Sequence, residues 1–171
     1  VKAGKHREAL AEVRKVDAVG SLSAAEKVLV ERMRIAAASG AGDVETAVRS
    51  FEILDGSPGV AAAEKVRMVE SIAGTYYRAG QYAKAQQWAQ RYFKEGGTSG
   101  SMRQLLMQAQ YQSGDFAAVT RELQAEVAAA ERAGQTPSEE RLKLLLGSAM
   151  RQKDANATAL AMEKLVTHYP K

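Results

Sequence analysis

Residues 75–85 read Thr-Tyr-Tyr-Arg-Ala-Gly-Gln-Tyr-Ala-Lys-Ala, and this stretch predicts a turn between two helices. Gly80 can take the positive φ that terminates a first helix. A second helix-compatible run follows at once, with an aromatic residue at Tyr82 and a small residue at Ala85. Because a small residue at that place lets two helices approach closely, we expect an antiparallel helical hairpin here.

The same pattern occurs five times along the chain, with anchor positions at residues 4, 42, 80, 114 and 153. The successive spacings are 38, 38, 34 and 39 residues. The other copies read Gly-Lys-His-Arg-Glu-Ala (4–9), Gly-Asp-Val-Glu-Thr-Ala (42–47), Gly-Asp-Phe-Ala-Ala-Val (114–119) and the degenerate Lys-Asp-Ala-Asn-Ala-Thr (153–158). Asp43, Asp115 and Asp154 are suited to cap the second helix of their hairpins. Near-regular recurrence of this kind is typical of a helical repeat.

Start and stop signals divide the chain into nine predicted helices. The segments 23–26 and 136–139 have the form of capping boxes, the latter with Pro137 at the first helical position, and Pro58 is expected to start a helix in the same way. The pair at 96–97 and Pro170 are expected to follow helix ends. The expected helices span residues 4–18, 22–39, 43–54, 58–79, 82–95, 100–113, 115–134, 137–152 and 154–168. The Ala-rich helix at 115–134 is expected to run an additional turn.

Composition supports an all-helical chain and limits its chemistry. Only 3 of the 171 residues are Pro and only 10 are aromatic, while 46% are hydrophobic. About a fifth of the residues are Ala, which favours helices, whereas the aromatic residues that favour strands are few. The chain has no Cys, which excludes disulfides, thiol catalysis and Cys-ligated zinc but fits either the cytoplasm or a bacterial periplasm. No stretch approaches the roughly 20 apolar residues of a membrane span.

Three stretches resemble the tetratricopeptide repeat (TPR): residues 75–85, Gln-Tyr-Gln-Ser-Gly-Asp-Phe at 110–116, and Leu-Val-Thr-His-Tyr-Pro at 165–170. The resemblance covers nearly the whole chain. The consensus Trp of the first helix is replaced by Val69 and Arg103, and its consensus Gly by Ala73, Met107 and Leu146.

The resemblance implies an all-α, right-handed superhelix (solenoid) of about four and a half helical hairpins. It implies one domain over residues 1–171, with a half repeat at 1–20 and repeats at about 22–56, 58–95, 99–134 and 136–170. The chain would then begin inside a hairpin and end on a repeat boundary. The run 76–97 and the ending 165–171 are similar to exported TPR proteins of proteobacteria, often associated with TonB-type energy-transduction systems. That narrower similarity implies a periplasmic location.

A helical solenoid binds partners on its concave side, which the first helix of each hairpin lines. The resemblance places the groove on one stripe of that helix, and helical spacing gives the same stripe independently. The expected groove residues are Arg67, Glu70, Gly74, Tyr77, Arg78, Gln104, Gln108, Tyr111, Lys143, Gly147 and Met150. A neighbouring apolar stripe is expected to be core: Ile72, Ala73, Tyr76, Leu106, Met107, Leu145, Leu146 and Ala149. The Lys and Asn pattern with which some TPR proteins clamp a C-terminal carboxylate is absent from the groove stripe.

Aromatic residues cluster between residues 76 and 116, and two alternatives stay open for several of them. Tyr77 and Tyr111 are 34 residues apart, and either contact a bound peptide or pack half-buried. Trp88 and Tyr92, four residues apart on a second helix, either pack within the repeat or form a second docking surface. Tyr82, Phe93 and Phe116 are expected to pack.

Catalysis is not expected. The two histidines, His6 and His168, lie repeats apart, with His6 expected to be a packing or surface residue. None of the common catalytic or nucleotide-binding motifs occurs in the sequence. We expect no cofactor and no metal site.

The leading hypothesis is therefore a non-enzymatic scaffold that binds a protein or peptide in the groove. The alternative is a structural segment that packs within a larger protein or forms homo-oligomers through an exposed apolar N-terminal edge. A third hypothesis, RNA binding, is disfavoured because the net charge is only +4 and basic residues do not cluster.

Overall fold

The computed structural model describes residues 3–170, and within that range it contains nine helices and no strand. The helices are α1 (Ala3–Val16), α2 (Ala24–Ala41), α3 (Val44–Asp55), α4 (Ala62–Arg78), α5 (Tyr82–Lys94), α6 (Gly100–Ser113), α7 (Phe116–Arg132), α8 (Glu139–Gln152) and α9 (Ala155–His168). The all-α prediction is thus confirmed over the described residues. The prediction that the chain begins inside a hairpin and ends on a repeat boundary concerns Val1 and Lys171, which lie outside the described residues.

Four turns share one backbone design, and they are the turns predicted at 42, 80, 114 and 153. The anchor residue has a positive φ in each: +80° at Gly42, +71° at Gly80, +83° at Gly114 and +60° at Lys153. The next residue's amide donates to the carbonyl five residues back, over 2.8–3.0 Å, as from Gln81 to Tyr76. This is the Schellman arrangement, which satisfies the last carbonyls of one helix just before the next begins.

The predicted aspartate caps are confirmed. Asp43 accepts from the amide of Thr46 over 3.1 Å, and Asp115 and Asp154 accept from the amides three residues ahead over 3.2 and 3.0 Å. Gln81 stands in the same place before α5 but provides no side-chain cap. The predicted lengthening of α7 is also confirmed, since α7 has 17 residues where α5 has 13.

Two predicted helix starts are wrong. Helix α4 begins at Ala62 and not at Pro58, because Gly59 has φ +83° and a helix cannot pass through that conformation. Helix α8 is capped by Ser138 rather than Thr136: the Ser138 hydroxyl accepts from the amide of Arg141 over 3.2 Å. Pro137 therefore precedes α8, where it is buried.

The first copy of the turn pattern also differs from prediction. Gly4 lies inside α1 and does not have a positive φ. Ala9 was expected to sit at a close helix contact, yet it is exposed, whereas Ala47 and Ala85 are fully buried. His6 does pack, because its ring lies directly against the backbone of Gly40 in α2.

The chain forms two compact units, Val1–Leu106 and Met107–Lys171. In the first unit, α2 packs on α3, α4 packs on α5, and α4 also contacts α2 and α3. Its core is made of fully buried residues from these four helices: Ala38, Ala47, Phe51, Leu54, Val69, Ile72, Ala73, Ala85 and Ala89. The hairpin of α4 and α5 thus packs against the hairpin of α2 and α3, and α4 contacts both helices of the latter.

In the second unit, α8 packs against both α7 and α9. Its core contains Met107, Val119, Leu123, Val127, Leu142, Leu145 and Ala161. One polar pair crosses this core: Thr120 donates to the Ser148 hydroxyl over 3.1 Å, and Ser148 donates to the Leu145 carbonyl. The apolar stripe predicted on the first helices is buried here at Met107, Leu145 and Ala149, while Leu146 is partly buried.

Candidate binding surface

The predicted groove residues of α4 lie along one side of that helix, beside its buried face. Arg67 is exposed, and Glu70, Gly74 and Tyr77 are partly buried. The neighbouring Ile72, Ala73 and Tyr76 are buried, as the sequence predicted. The helix therefore turns an apolar face to the core and a polar, partly open stripe away from it.

Arg78, also predicted in the groove, connects two helices. Its guanidinium donates to the Thr75 hydroxyl over 3.0 Å and to the Ser39 carbonyl of α2 over 3.4 Å. The same group lies beside Gly74, where an added Cβ would meet its Nη1 at 3.3 Å. Arg78 thus ties the end of α4 to the end of α2 and fills part of the space over Gly74.

On α6 and α8, the predicted groove residues are mostly exposed. Gln104, Gln108 and Lys143 are exposed, and Lys143 pairs with Glu139 over 2.7 Å. Met150 is 57% exposed, which is unusual for a large apolar side chain. These groups offer hydrogen-bonding and apolar contacts on the surfaces of their helices.

Tyr77 and Tyr111 both pack against the first aromatic residue of the helix that follows. Tyr77 meets Tyr82 and Tyr111 meets Phe116, each edge to face with ring centroids 5.3 Å apart. The Arg151 guanidinium of α8 lies 5.4 Å from both rings of the second pair. Both tyrosines are half-buried and pack against their hairpin turns, and their contact with a bound peptide stays a prediction.

Two glycines of the predicted groove occupy the same place in their hairpins, six residues before the turn anchor. They are Gly74 in α4 and Gly147 in α8. A Cβ added at Gly147 would meet nothing within 4 Å, and at Gly74 only the end of the flexible Arg78 side chain. Neither glycine has a positive φ. Glycine inside a helix costs about 1 kcal/mol relative to alanine, and packing within the second unit gives no reason for Gly147, whereas at Gly74 the Arg78 guanidinium lies where a Cβ would point.

The predicted groove left out the corresponding stripe of α2. Shifting Arg67, Glu70 and Gly74 back by the 38-residue spacing gives Leu29, Arg32 and Ala36. Leu29 is 54% exposed and Ala36 is exposed. The 38-residue spacing of the repeat would have predicted these three positions from the sequence.

A charge pair holds the α2 stripe to α4. Arg32 donates to both carboxylate oxygens of Glu64, over 2.5 and 2.8 Å. This hydrogen bonding raises the pKa of Arg32 above its ordinary value. A bidentate pair fixes the relative register of two helices more strictly than a single contact does.

Trp88 packs inside the first unit, as one of the two alternatives predicted. Its ring centroid lies 5.5 Å from that of Phe51 and 6.3 Å from that of Tyr76. Arg91 stacks on Phe51 and Trp88 and pairs with Asp55 over 3.0 Å. Burial alone would lower the pKa of Arg91, but its acidic partners raise it overall.

Among residues 3–170, no group of three or more His, Cys, Asp or Glu side chains is arranged to hold a metal ion. None of the described helices is both long and apolar enough to cross a membrane. The chain matches no protein-family model and no curated protein.

Proposed function

We propose that this protein is a non-enzymatic scaffold of the TPR type, which binds a protein or peptide along the first helices of its hairpins. The observation that carries the proposal is the pair of glycines Gly74 and Gly147. Both sit at one repeat position, on the polar stripe, and a Cβ at Gly147 would meet nothing within 4 Å in its unit. A bound backbone that approaches the helix closely would account for them, because glycine is used where another chain must come near.

The polar stripe has the composition of a peptide-binding surface. Exposed amides at Gln104 and Gln108 can both donate and accept hydrogen bonds, which suits the main chain of a bound peptide. Exposed apolar side chains at Leu29 and Met150 add area that a partner can cover. The solenoid arrangement, the repeat limits and the periplasmic location implied by the resemblance are part of the same proposal.

The test selects ligands from a displayed library of random peptides and measures their affinity by titration calorimetry. Gly147→Leu fills the space over α8 and is expected to weaken binding at least tenfold, about 1.4 kcal/mol. Gly147→Ala is expected to raise the unfolding free energy by about 0.5–1 kcal/mol through helix propensity while still weakening binding. The matched control is Ala117→Leu, which adds a leucine at an exposed position of α7, a second helix of its hairpin.

The proposal fails if no peptide is selected. It also fails if Gly147→Leu and Ala117→Leu change the affinity equally, since the glycine surface would then have no special role. Circular dichroism of each variant verifies that a loss of binding does not come from a loss of folding.

A further inference from the structure

A pocket of about 450 Å³ opens between the first half of α2 and the loop that joins α3 to α4. We call it the α2–α3 pocket. Most of its lining is apolar, and the residues used below are Ala25, Val28, Arg32, Ile53, Leu54 and Pro58. It lies inside the first unit, with α1 before it in the chain and α4 after it. Its volume is in the range of pockets that hold a ligand, roughly 300–1,000 Å³.

The hairpin of α4 and α5 has an aromatic ring at the equivalent place. Shifting Leu54 forward by the 38-residue spacing gives Tyr92, which is 5% exposed. The Tyr92 hydroxyl accepts from the amide of Ser99, the residue just before α6, over 3.1 Å. The ring lies directly against Gly97. A phenol therefore closes the end of that hairpin and satisfies the amide that precedes the next helix.

The hairpin of α2 and α3 has Leu54 in place of that ring. The residue that corresponds to Ser99 is Ala61, just before α4, and no hydrogen bond from its amide is found within residues 3–170. An added Cβ at Gly59, which corresponds to Gly97, would meet nothing within 4 Å. The ligand that fits this pocket is therefore an aromatic ring with a hydroxyl group.

The pocket also carries a cation whose repeat partner is engaged elsewhere. Lys27, which lines the pocket, corresponds to Lys65, and Lys65 pairs with Asp55 over 3.3 Å. The counterpart of Asp55 is Asp17, but Asp17 accepts from Arg34 instead, over 3.0 Å. Lys27 is exposed and forms no ion pair within the described part of the chain, where no acidic residue lines the pocket either. Charge complementarity therefore favours a ligand with a carboxylate close to its ring.

The α2–α3 pocket adjoins the surface proposed to bind peptides. Arg32 lines the pocket and also belongs to the α2 stripe, between Leu29 and Ala36. A peptide that lies on this stripe can turn one side chain into the pocket while its main chain stays along α2. The shared residue favours a side chain of a bound peptide over a free small molecule as the occupant.

We propose that the α2–α3 pocket binds a tyrosine side chain of the partner peptide, and that an acidic residue beside this tyrosine pairs with Lys27. The tyrosine hydroxyl accepts from the amide of Ala61, as Tyr92 accepts from Ser99, and the ring covers the apolar lining of the pocket. This inference rests on the proposed function, because it names the side chains by which the scaffold recognises its partner.

The test uses N-acetyl-tyrosine, which has a phenol and a carboxylate, so it needs no selected peptide. Binding to the isotope-labelled chain is followed by NMR through the amides of Val28, Gly59 and Ala61. A ligand of this size is expected to bind with a dissociation constant of about 0.1–1 mM. N-acetyl-leucine, which lacks the ring, should bind about fivefold more weakly. N-acetyl-tyrosine amide, which lacks the carboxylate, should bind about threefold more weakly.

Two variants fill the pocket from different sides. Leu54→Tyr supplies the ring that the next hairpin has, and Ala25→Trp supplies a ring from an exposed position of α2. Each is expected to weaken N-acetyl-tyrosine binding at least about tenfold, a loss of about 1.4 kcal/mol. Ala63→Trp, at the corresponding exposed position of α4, is the matched control and should bind as the wild type does. Because Leu54 is buried, circular dichroism checks the folding of that variant, and Ala25→Trp decides the question if Leu54→Tyr does not fold.

The charge is tested by Lys27→Gln, which should bind N-acetyl-tyrosine and its amide equally. Lys94→Gln, at an exposed lysine of α5, is the control and should keep the preference for the carboxylate. The inference is overturned if none of the three amides shifts with about 10 mM N-acetyl-tyrosine. It is also overturned if Ala25→Trp and Ala63→Trp bind the probe equally.

The selected peptides separate this inference from the proposed function. They are expected to be enriched in tyrosine beside aspartate or glutamate, and to lose affinity for Ala25→Trp but not for Ala63→Trp. Peptides that bind both variants equally leave the proposed function standing and overturn this inference. An empty selection instead rejects the proposed function, whereas the N-acetyl-tyrosine titration reports on the pocket alone.

Discussion

Gly97 lies in the loop before α6, directly against the ring of Tyr92. An added Cβ would come well within 3.0 Å of the ring, closer than real Cβ atoms approach other atoms. Tyr92 cannot easily move away: it is 5% exposed, and its hydroxyl accepts from the amide of Ser99 over 3.1 Å. Gly97→Ala must therefore displace a buried ring or the loop that holds it.

The size of the effect follows from two opposing terms. Overpacking a buried site costs about 1–3 kcal/mol. Replacing glycine at a compatible φ returns about 0.4–1 kcal/mol, because alanine has fewer conformations in the unfolded chain. Gly97 has no positive φ, so that gain applies. We expect the unfolding free energy to fall by about 1–2 kcal/mol.

Urea unfolding followed by circular dichroism measures this change. With a denaturant slope of about 1–3 kcal/mol per molar, the midpoint should fall by roughly 0.5–1 M. The control is Gly100→Ala, where an added Cβ meets nothing within 4 Å and the midpoint should stay or rise slightly. In a Tyr92→Leu background the penalty of Gly97→Ala should largely vanish, a coupling of about 1 kcal/mol. A Gly97→Ala midpoint equal to that of the wild type would refute the steric argument.

Three further predictions concern turns and charges. Lys153→Gly should raise the unfolding free energy by about 0.5–1 kcal/mol, since Lys153 is exposed and holds a φ of +60° that glycine adopts without strain; an unchanged urea midpoint would contradict this. Gln81→Asp should add about 1 kcal/mol by supplying the cap that α5 lacks, and Gln81→Ala, which adds none, is the comparison. Asp17→Asn tests a pH effect. The hydrogen bond from Arg34 lowers the pKa of Asp17 below its ordinary value of 3.8. The stabilisation by Asp17 is therefore present above the unfolded-state pKa and disappears as pH falls through the folded-state pKa. Because Asp17 is exposed, the variant should lose at most about 0.5 kcal/mol at neutral pH and nothing near pH 2, and thermal unfolding that differs equally at both pH values would contradict the assignment.

The helices and hairpin turns were predictable because their determinants are local. A glycine at positive φ and an aspartate three residues before a helical amide act within one turn of chain, so they are visible in residues 42–47 or 114–119. The errors arose at glycines whose backbone conformation the local pattern did not reveal. Gly59 delays α4 past Pro58, and Gly4 resembles the other turn anchors although it lies inside a helix.

The candidate surface was predictable only in part. Helical spacing located the stripe through Arg67, Gly74 and Gly147, but it could not show which side chains Tyr77 and Tyr111 contact. Those contacts, with Tyr82 and Phe116, form only when the hairpins close.

By itself, the sequence determined an all-helical chain of recurring hairpins, since turn chemistry and helical periodicity are properties of neighbouring residues. The tertiary structure alone decided which apolar residues are covered. Phe51 and Met162 occupy the same repeat position, yet the first is fully buried and the second is 47% exposed. Nothing in their local sequence separates them, because burial depends on which helix lies alongside.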